Sequence, residues 1–386
     1  MPAAIPAGYA WTSPFAKWGG TLAAVSSLDT AAAVTRAALD RRGYAVDQVD
    51  HLVLGWTIPQ SEIFYGPSSL ASAIGAPTVG GLAVSQACAT SVAALESAAA
   101  SALGGRRDVL AVLTDRTSNA PTMVYPQPNA SGGAPQTEHW LLHAFEADPC
   151  TGESMLATAE HVAEEAGIDR AELDDLTALR NAQYAARPST DHVVAVEIPG
   201  RRGTLTLADD EGVRLSSTDE LAALRPAAPN GRHTFGSQTH PADGAAGALV
   251  TAPDRARELS VDGSIAELLG FGSARVASGR MPTAPVPAAR AALDAAGLTI
   301  DDVDLVGTHN PFAVNDVYFT RQTGFDTAAM NVFGCSLVYG HPQGPTGMRG
   351  IAELIEALRA RGGGVGLFTG CAAGDQGAAV VLRVTE

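Results

Sequence analysis

Arg36-Ala-Ala-Leu-Asp-Arg-Arg-Gly43 returns 254 positions later as Arg290-Ala-Ala-Leu-Asp-Ala-Ala-Gly297, and this echo decides the fold. The same offset carries Val49-Asp50 onto Val303-Asp304, and each pair leads into an apolar segment. Both copies read as a helix, a glycine stop, a short loop and a buried strand. The repeat predicts an α/β chain of two similar domains. A further helix and strand follow in each half. Cys88 opens that stretch in the first, and Gly340-His341-Pro342 precedes it in the second. Cys88 and His341 stand 253 positions apart, close to the repeat offset, so their turns are expected at equivalent places, facing one another across a pseudo-twofold axis.

The local sequence at Cys88 suits a nucleophile. Leu82-Ala-Val-Ser-Gln-Ala-Cys-Ala-Thr-Ser-Val-Ala-Ala-Leu-Glu-Ser97 passes from a short apolar run to an Ala-rich helical run around the sulfur. A thiol at a helix start meets unpaired N–H groups and the positive end of the dipole, and both favour thiolate. Gly370-Cys371-Ala-Ala-Gly-Asp-Gln-Gly377 is a third small-residue turn after an apolar run. A cysteine, a histidine and a second cysteine on three such turns point to acyl transfer through a thioester.

Between the halves the texture changes. Ser118 to Gly133 is rich in Pro, Gly, Ser and Asn; Glu153 to Arg187 is an amphipathic helical stretch; Val193-Val-Ala-Val-Glu-Ile198 alternates until Pro199-Gly200 breaks it. So long an excursion inside a domain is expected to be a lid or binding insertion. Asp243 to Thr251 then reads as a buried strand returning to the first domain. The expected organisation is an N-terminal domain of residues 1–115 and 242–260, an inserted loop domain of 116–241 and a C-terminal domain of 261–386.

Composition narrows the function. The 386 residues are 46% hydrophobic and 17% charged, which suits a globular enzyme. A net charge of −16 argues against nucleic acid, and the pairs Arg41-Arg42, Arg106-Arg107 and Arg201-Arg202 are too short to argue otherwise. An anionic substrate would need local positive groups at its entrance. The first residues lack the pattern of a signal peptide, and no apolar run approaches the roughly 20 residues of a membrane span. Cys88, Cys150, Cys335 and Cys371 show no zinc-like spacing and are few for a disulfide framework, so a cytoplasmic chain with reduced thiols and no metal is expected.

Six stretches, in order, resemble the thiolase family over essentially the whole chain. Thr12-Ser-Pro-Phe-Ala-Lys-Trp-Gly-Gly20 is similar to RTPFGKFGG, with the Arg lost. The Cys88 segment resembles the nucleophile motif, although its CATS is as close to the related ketosynthases as to CASG. Thr158-Ala-Glu-His-Val-Ala163 resembles TAENVA, and Thr234 to Ala246 resembles TAGNAS…NDGAA. Asn331 to Gly347 resembles NVNGGAIALGHPLGASG, and Cys371 to Gly377 resembles CIGGGQG.

The resemblance implies a five-layered αβαβα fold, acyl transfer between coenzyme A thioesters in fatty acid metabolism, and a homodimer or homotetramer. It implies that the inserted domain binds coenzyme A, a substrate and not a tightly held cofactor, and makes oligomer contacts. It makes Cys88 the acyl-accepting nucleophile, His341 its activating base and Cys371 the second acid/base. Thr239 matches a pocket Ser and Met155 an acyl-pocket Met. His309, in His309-Asn310-Pro311-Phe312, replaces the Asn of NEAF that holds an oxyanion water, as the HDAF of sterol-carrier-type thiolases does. Ala373 replaces a Gly whose N–H helps form the other oxyanion hole; an Ala N–H serves equally if φ stays negative. Cys335 is expected to be packing, Cys150 a partly buried loop thiol, His240 a loop histidine, and the remaining histidines surface or structural. Two other functions compete. A decarboxylating ketosynthase-like enzyme fits CATS and His309 but has no use for Cys371. A weakly active subunit binding acyl-CoA or a partner fits the altered Thr12, Ala373 and Phe235-Gly-Ser-Gln but not the retention of all three reactive residues.

Overall fold

The computed structural model describes residues 2–61, 63–200 and 203–385, so the Arg201-Arg202 pair lies outside the described residues. In the first half, β1 (Ala4–Pro6) is followed by α1 (Ser27–Asp40), β2 (His51–Gly55), α2 (Gly66–Ile74), β3 (Gly81–Val84), α3 (Thr90–Leu103) and β4 (Asp108–Arg116). The insertion contributes α4 (Met155–Glu165) and α5 (Arg170–Ala186), and the chain returns through β5 (Ala242–Thr251) and β6 (Ile265–Arg275). The second copy runs α6 (Pro285–Ala296), β7 (Leu305–His309), α7 (Ala313–Thr323), α8 (Pro345–Ala360), β8 (Gly364–Ala372) and β9 (Gln376–Thr385). The echoed segments take the same shape. Gly43 after α1 and Gly297 after α6 stand at φ +63 and +68, left-handed backbone that L side chains resist, which is why glycine marks both stops.

The main sheet runs β7-β8-β9-β6-β1-β5-β4-β2-β3, with residues 10–12 and 16–17 adding two short strands on β5. It reads as its own mirror about the β6/β1 junction, where Ile5 pairs with Ala266. β2 and β4 are parallel and so are β7 and β8; β4/β5 and β8/β9 are both antiparallel. Within that nine-strand order of the described residues, β3 alone has no counterpart. Helices α3 and α8 pack on each other and on strands of both halves, burying Val92, Leu95, Ile351 and Ile355 against Ala111, Phe368 and Val380. Each such side chain stabilises by about 1.5–3 kcal/mol relative to exposure. Helices α1 and α2 cover one outer face, α6 and α7 the other. The layers are therefore αβαβα, as the resemblance implied, and the α3–α8 pair forms the middle one.

The insertion departs from its sequence reading in three places. The Glu153–Arg187 stretch is two helices, because Gly167 turns the chain at φ +60 and Asp169 starts α5 with a capping box to Glu172. Pro199 does not break its strand: Val196–Gly200 pairs with Gly203–Leu207 and sets Pro199 opposite Thr204. A two-stranded ribbon has free edges, where a missing N–H costs little. The turn-rich segment after Ser118 holds a hairpin, Thr122–Tyr125 against Gln136–His139. No helix among the described residues is long and apolar enough to cross a membrane.

Candidate active site

Three turns meet at one end of the α3–α8 pair. The first links β3 to α3 and passes through Ala87 at φ +46, uncommon for a residue with a Cβ. Thr90 braces it, its Oγ1 accepting from Gln86 N–H (2.8 Å) and donating to Ala87 O (2.7 Å). Ser91 joins the two helices, its Oγ donating to Gly344 O at 2.5 Å and accepting from Met348 N–H at 2.7 Å. The Thr and Ser after Cys88 are thus turn-building residues.

The second turn is Gly340-His341-Pro342-Gln343. Gly340 stands at φ +91, and a Cβ there would meet His240 Nε2 at 2.7 Å. The main chain of His341 is joined to the start of β5: its N–H donates to His240 O (2.8 Å) and its carbonyl accepts from Ala242 (3.3 Å). The ring is buried, with Nε2 3.0 Å from Cys88 Sγ and Nδ1 2.6 Å from Thr346 Oγ1. When Nδ1–H donates to Thr346, Nε2 keeps its lone pair for the thiol, the tautomer a base requires.

The third turn joins β8 to β9. Cys371 pairs with Gly377 there, buried, and Asn315 of α7 donates Nδ2–H to its sulfur at 3.3 Å. Ala373 is not among the residues with positive φ, so its N–H remains usable, and the N–H groups of Ala373 and Cys88 both act to lower the Cys88 thiol. Gln376 Nε2 donates to Ala373 O and Gln86 Nε2 to Gln376 Oε1, both at 3.2 Å, tying the first turn to the third.

Cys88, Met155, Thr239, His341, Cys371 and Ala373 all line one cavity of about 250 Å³, whose apolar walls include Phe145, Leu156, Met281 and Phe312. Thr239 commits its hydroxyl proton to the fold, donating to Ser336 O at 2.5 Å. The cavity lining contains no Lys or Arg among the described residues. Cys335 is packed and His240 is a half-buried loop histidine, both as expected, whereas Cys150 is exposed, contrary to the partly buried position expected. A second cavity, of about 390 Å³, is lined by His192, Asp210, Arg349 and Glu353 and by no cysteine among the described residues.

His309 does not line the cavity. It ends β7 and stacks on His341, with ring centroids 4.1 Å apart and planes 26° apart, and one of its ring nitrogens lies within 4.8 Å of Cys88 Sγ. Its Nδ1 is 3.1 Å from Ser336 Oγ, which also lies 3.0 Å from Asn310 Oδ1. Asn310 is fixed by its Nδ2 donating to Asp316 at 2.8 Å, so Ser336 has one proton for two acceptors. Given to Asn310, it leaves Nδ1–H donating to Oγ and a bare lone pair on His309 Nε2. Turned to His309, it permits the Nε2–H tautomer. His309 Nε2 is buried and has no hydrogen-bond partner.

Cys88 Sγ and a ring nitrogen from each of His309 and His341 lie within 4.8 Å of one another, close enough for three metal ligands. The near-parallel stack opposes it, because a metal must lie near the plane of each imidazole it binds. Burial governs the electrostatics. It pushes the Cys88 thiol up to about 12, further than the N–H groups of Ala373 and Cys88 lower it, and the Asp115 charge adds to the rise. The helix start therefore does not deliver a standing thiolate, as its position suggested. Burial also takes His309 down to about 3 and His341 well below the usual range, the latter helped by His309. Cys371 is raised by burial and then by Cys88. At rest the site is neutral thiols and neutral imidazoles.

Sequence reasoning missed Gln343, Asn315, Ser336 and Asp115. Asp115, at the end of β4, accepts from the N–H groups of Thr57 (2.8 Å), Ile58 (2.9 Å) and Gly344 (2.8 Å), and burial raises it to about 7. The only signals were a charge closing an apolar strand and, for Gln343, a polar residue where the quoted motif has leucine.

A cysteine bonded to a histidine, with a second cysteine on the same small cavity, marks a thiol-based acyl-transfer enzyme. Residues 9–254 match the family "Thiolase, N-terminal domain", and residues 263–384 match "Thiolase, C-terminal domain". The acetyl-CoA acetyltransferase of Synechocystis is 31% identical, covering 96% of this chain and 97% of its own length. That of Escherichia coli is 32% identical over 95% of both chains, and so is a beta-ketothiolase of Cupriavidus necator. The crystal structure of the Bacillus anthracis acetyl-CoA acetyltransferase superposes with a TM-score of 0.89 at 26% identity, over 100% of this chain and 99% of that one. Human mitochondrial 3-ketoacyl-CoA thiolase gives 0.90 at 25% identity, over 99% of each. The chain belongs to the thiolase family and is an acyltransferase.

Proposed function

We propose that this chain is an acetyl-CoA C-acyltransferase that moves acyl groups between coenzyme A thioesters through an acyl thioester on Cys88. It runs as thiolytic cleavage of a 3-ketoacyl-CoA or as Claisen condensation of two acyl-CoAs. His341 Nε2 takes the Cys88 proton as the sulfur attacks the thioester carbon, so thiolate and imidazolium form together during attack. The N–H groups of Cys88 and Ala373 receive the developing oxyanion. Cys371 gives its proton to the departing group, a coenzyme A thiolate in condensation or an acetyl-CoA enolate in thiolysis; the Cys371 thiolate so formed then removes the α-proton of the second acyl-CoA or deprotonates the incoming coenzyme A thiol. A thiol that burial makes hard to ionise is, once ionised, a strong base, which a weak C–H acid requires. His341, now carrying Nε2–H, and His309, with Ser336 turned onto its Nδ1, hold the enolate oxygen. Met155 and Thr239 border the acyl and pantetheine groups.

Coenzyme A enters as a substrate, with residues 116–241 as the loop domain that contacts it, between core domains of 1–115 with 242–260 and of 261–386. The protein acts in the cytoplasm as a homodimer or a pair of dimers, in fatty acid metabolism. One observation carries the reading: turns 253 residues apart bring His341 Nε2 to 3.0 Å from Cys88 Sγ. The test is to supply acetoacetyl-CoA and longer 3-ketoacyl-CoAs with coenzyme A, follow loss of enolate absorbance, and map the acyl mass. One acyl group should sit on the Cys88 peptide, and Cys88→Ser should lower turnover by several orders of magnitude. Label on another cysteine alone overturns the assignment.

A further inference from the structure

Gln343 has no place in the mechanism above, yet it is a second polar side chain on the reacting sulfur. It is buried, lines the acyl cavity, and stands where the GHPLG motif has leucine. Its backbone sits at φ +65, a strained conformation for a residue with a side chain, of the kind that persists where its surroundings enforce it. Those surroundings are specific. Thr346 N–H donates to Gln343 O at 3.2 Å, and the next residue, Gly344, gives its N–H to Asp115. The Gln343 carboxamide is thereby carried to Cys88, with Oε1 3.3 Å from Sγ.

We propose that Gln343 is a further catalytic residue whose carboxamide serves both states of the Cys88 sulfur: Oε1 accepts from the resting thiol, and after a turn about its last bond Nε2–H donates to the thiolate. The two ends of a carboxamide have nearly the same shape, so the turn needs no added room. The step is a proton transfer: the single S–H of Cys88 turns from Gln343 Oε1 to His341 Nε2, the S–H bond breaks with its electron pair staying on sulfur, and an N–H bond forms at Nε2. A charged acceptor strengthens the hydrogen bond it receives, so the donating amide favours the thiolate. The need is particular to this chain. The titratable groups facing Cys88 are His341, His309, Cys371 and Asp115, and at rest none of them is cationic. His309 further lowers the capacity of His341 to hold positive charge, while Gln343 raises it. An amide beside both partners offsets what the second histidine takes away.

The proposal rests on Cys88 being the acyl-accepting thiol, and the experiment separates the two ideas. In the full-length protein, the rate at which iodoacetamide alkylates the Cys88 peptide is measured against pH, alongside thiolysis kcat and the folding midpoint. Gln343→Leu installs the motif's residue, and Gln343→Glu keeps the shape but removes the donor. The apparent thiol pKa should rise by about one unit in Gln343→Leu, so alkylation near neutral pH slows about tenfold. It should rise further in Gln343→Glu, where a like charge is added. The kcat should fall about tenfold while the folding midpoint holds. If the leucine variant does not fold, Gln343→Met replaces it. Variants that titrate with the parent and turn over within twofold of it overturn the proposal. A parent whose Cys88 never acquires an acyl group overturns the acyl-enzyme reading instead, and the alkylation profile still reports on Gln343.

Discussion

At His309 the position of one proton decides what the side chain can do. Ser336 is shared between Asn310 Oδ1 and His309 Nδ1, so the Nε2–H tautomer is reached by a hydroxyl rotation and without moving the ring. Removing one oxyanion donor typically costs about 100- to 1,000-fold in turnover, roughly 2.7–4 kcal/mol. His309→Ala is therefore expected to keep part of Cys88 acylation and lose most Claisen or retro-Claisen turnover, with His309→Asn recovering some. Acylation burst and steady-state rates measure the two separately. Turnover of His309→Ala within a few-fold of the parent would make the ring a packing group. At this scale the trio was legible because Cys88, His341 and Cys371 sit in small-residue turns, which let the three side chains converge on one cavity. Ser336, Asn315 and Gln343 were not. Each acts through a partner 27 to 255 positions away, a meeting that only the folded chain defines.

Among the elements, the joint between α3 and α8 fixes the distance between nucleophile and base. Ser91 is fully buried and bonds Gly344 O and Met348 N–H, so it registers the start of one helix on the other. Ser91→Ala leaves two buried groups unpaired, at about 1–3 kcal/mol each. The expected result is a lower urea midpoint together with reduced turnover, because Gly344 adjoins Gln343. An unchanged midpoint would show that helix packing alone sets the register. The alternation of helices and strands was readable because glycine stops and apolar runs recur at a fixed offset. The insertion was less so. The amphipathic pattern runs across the Gly167–Asp169 break, and a small ribbon such as 196–207 is held by cross-strand pairing that composition does not encode.

For the whole molecule, acid stability and assembly both follow from what the sheet buries and what it leaves bare. His192 is buried, and burial, with Arg349 second, holds its pKa down to about 3. Below the ordinary value of 6.5 the unfolded chain takes up a proton that the folded chain refuses, so this residue's contribution lowers stability as pH falls from 6.5 towards 3. His192→Gln should therefore lose about 2 kcal/mol less than the parent between pH 7 and pH 5, read by urea unfolding at each pH. Asp115 and Glu353, both raised to about 7, act in the opposite sense in both proteins and cancel in the difference. Parallel losses would show that His192 is protonated while folded. The mirrored sheet makes the assembly prediction. Its β7 end is covered, Asn331 N–H bonding Val306 O, whereas β3 pairs only with β2 among the described residues and shows Leu82 at 39% exposure. A bare apolar edge is a template for a second strand, and the prediction is that a second copy of β3 supplies one about a twofold axis. The β3 strand runs straight into the turn that carries Cys88, so pairing would also steady the nucleophile. Leu82→Lys places a charge on that edge. It should convert a dimer to a monomer in sedimentation velocity and lower kcat, while Cys88 remains open to alkylation. A parent that sediments as a monomer at micromolar concentration, or a variant that stays dimeric and fully active, would remove β3 from the interface.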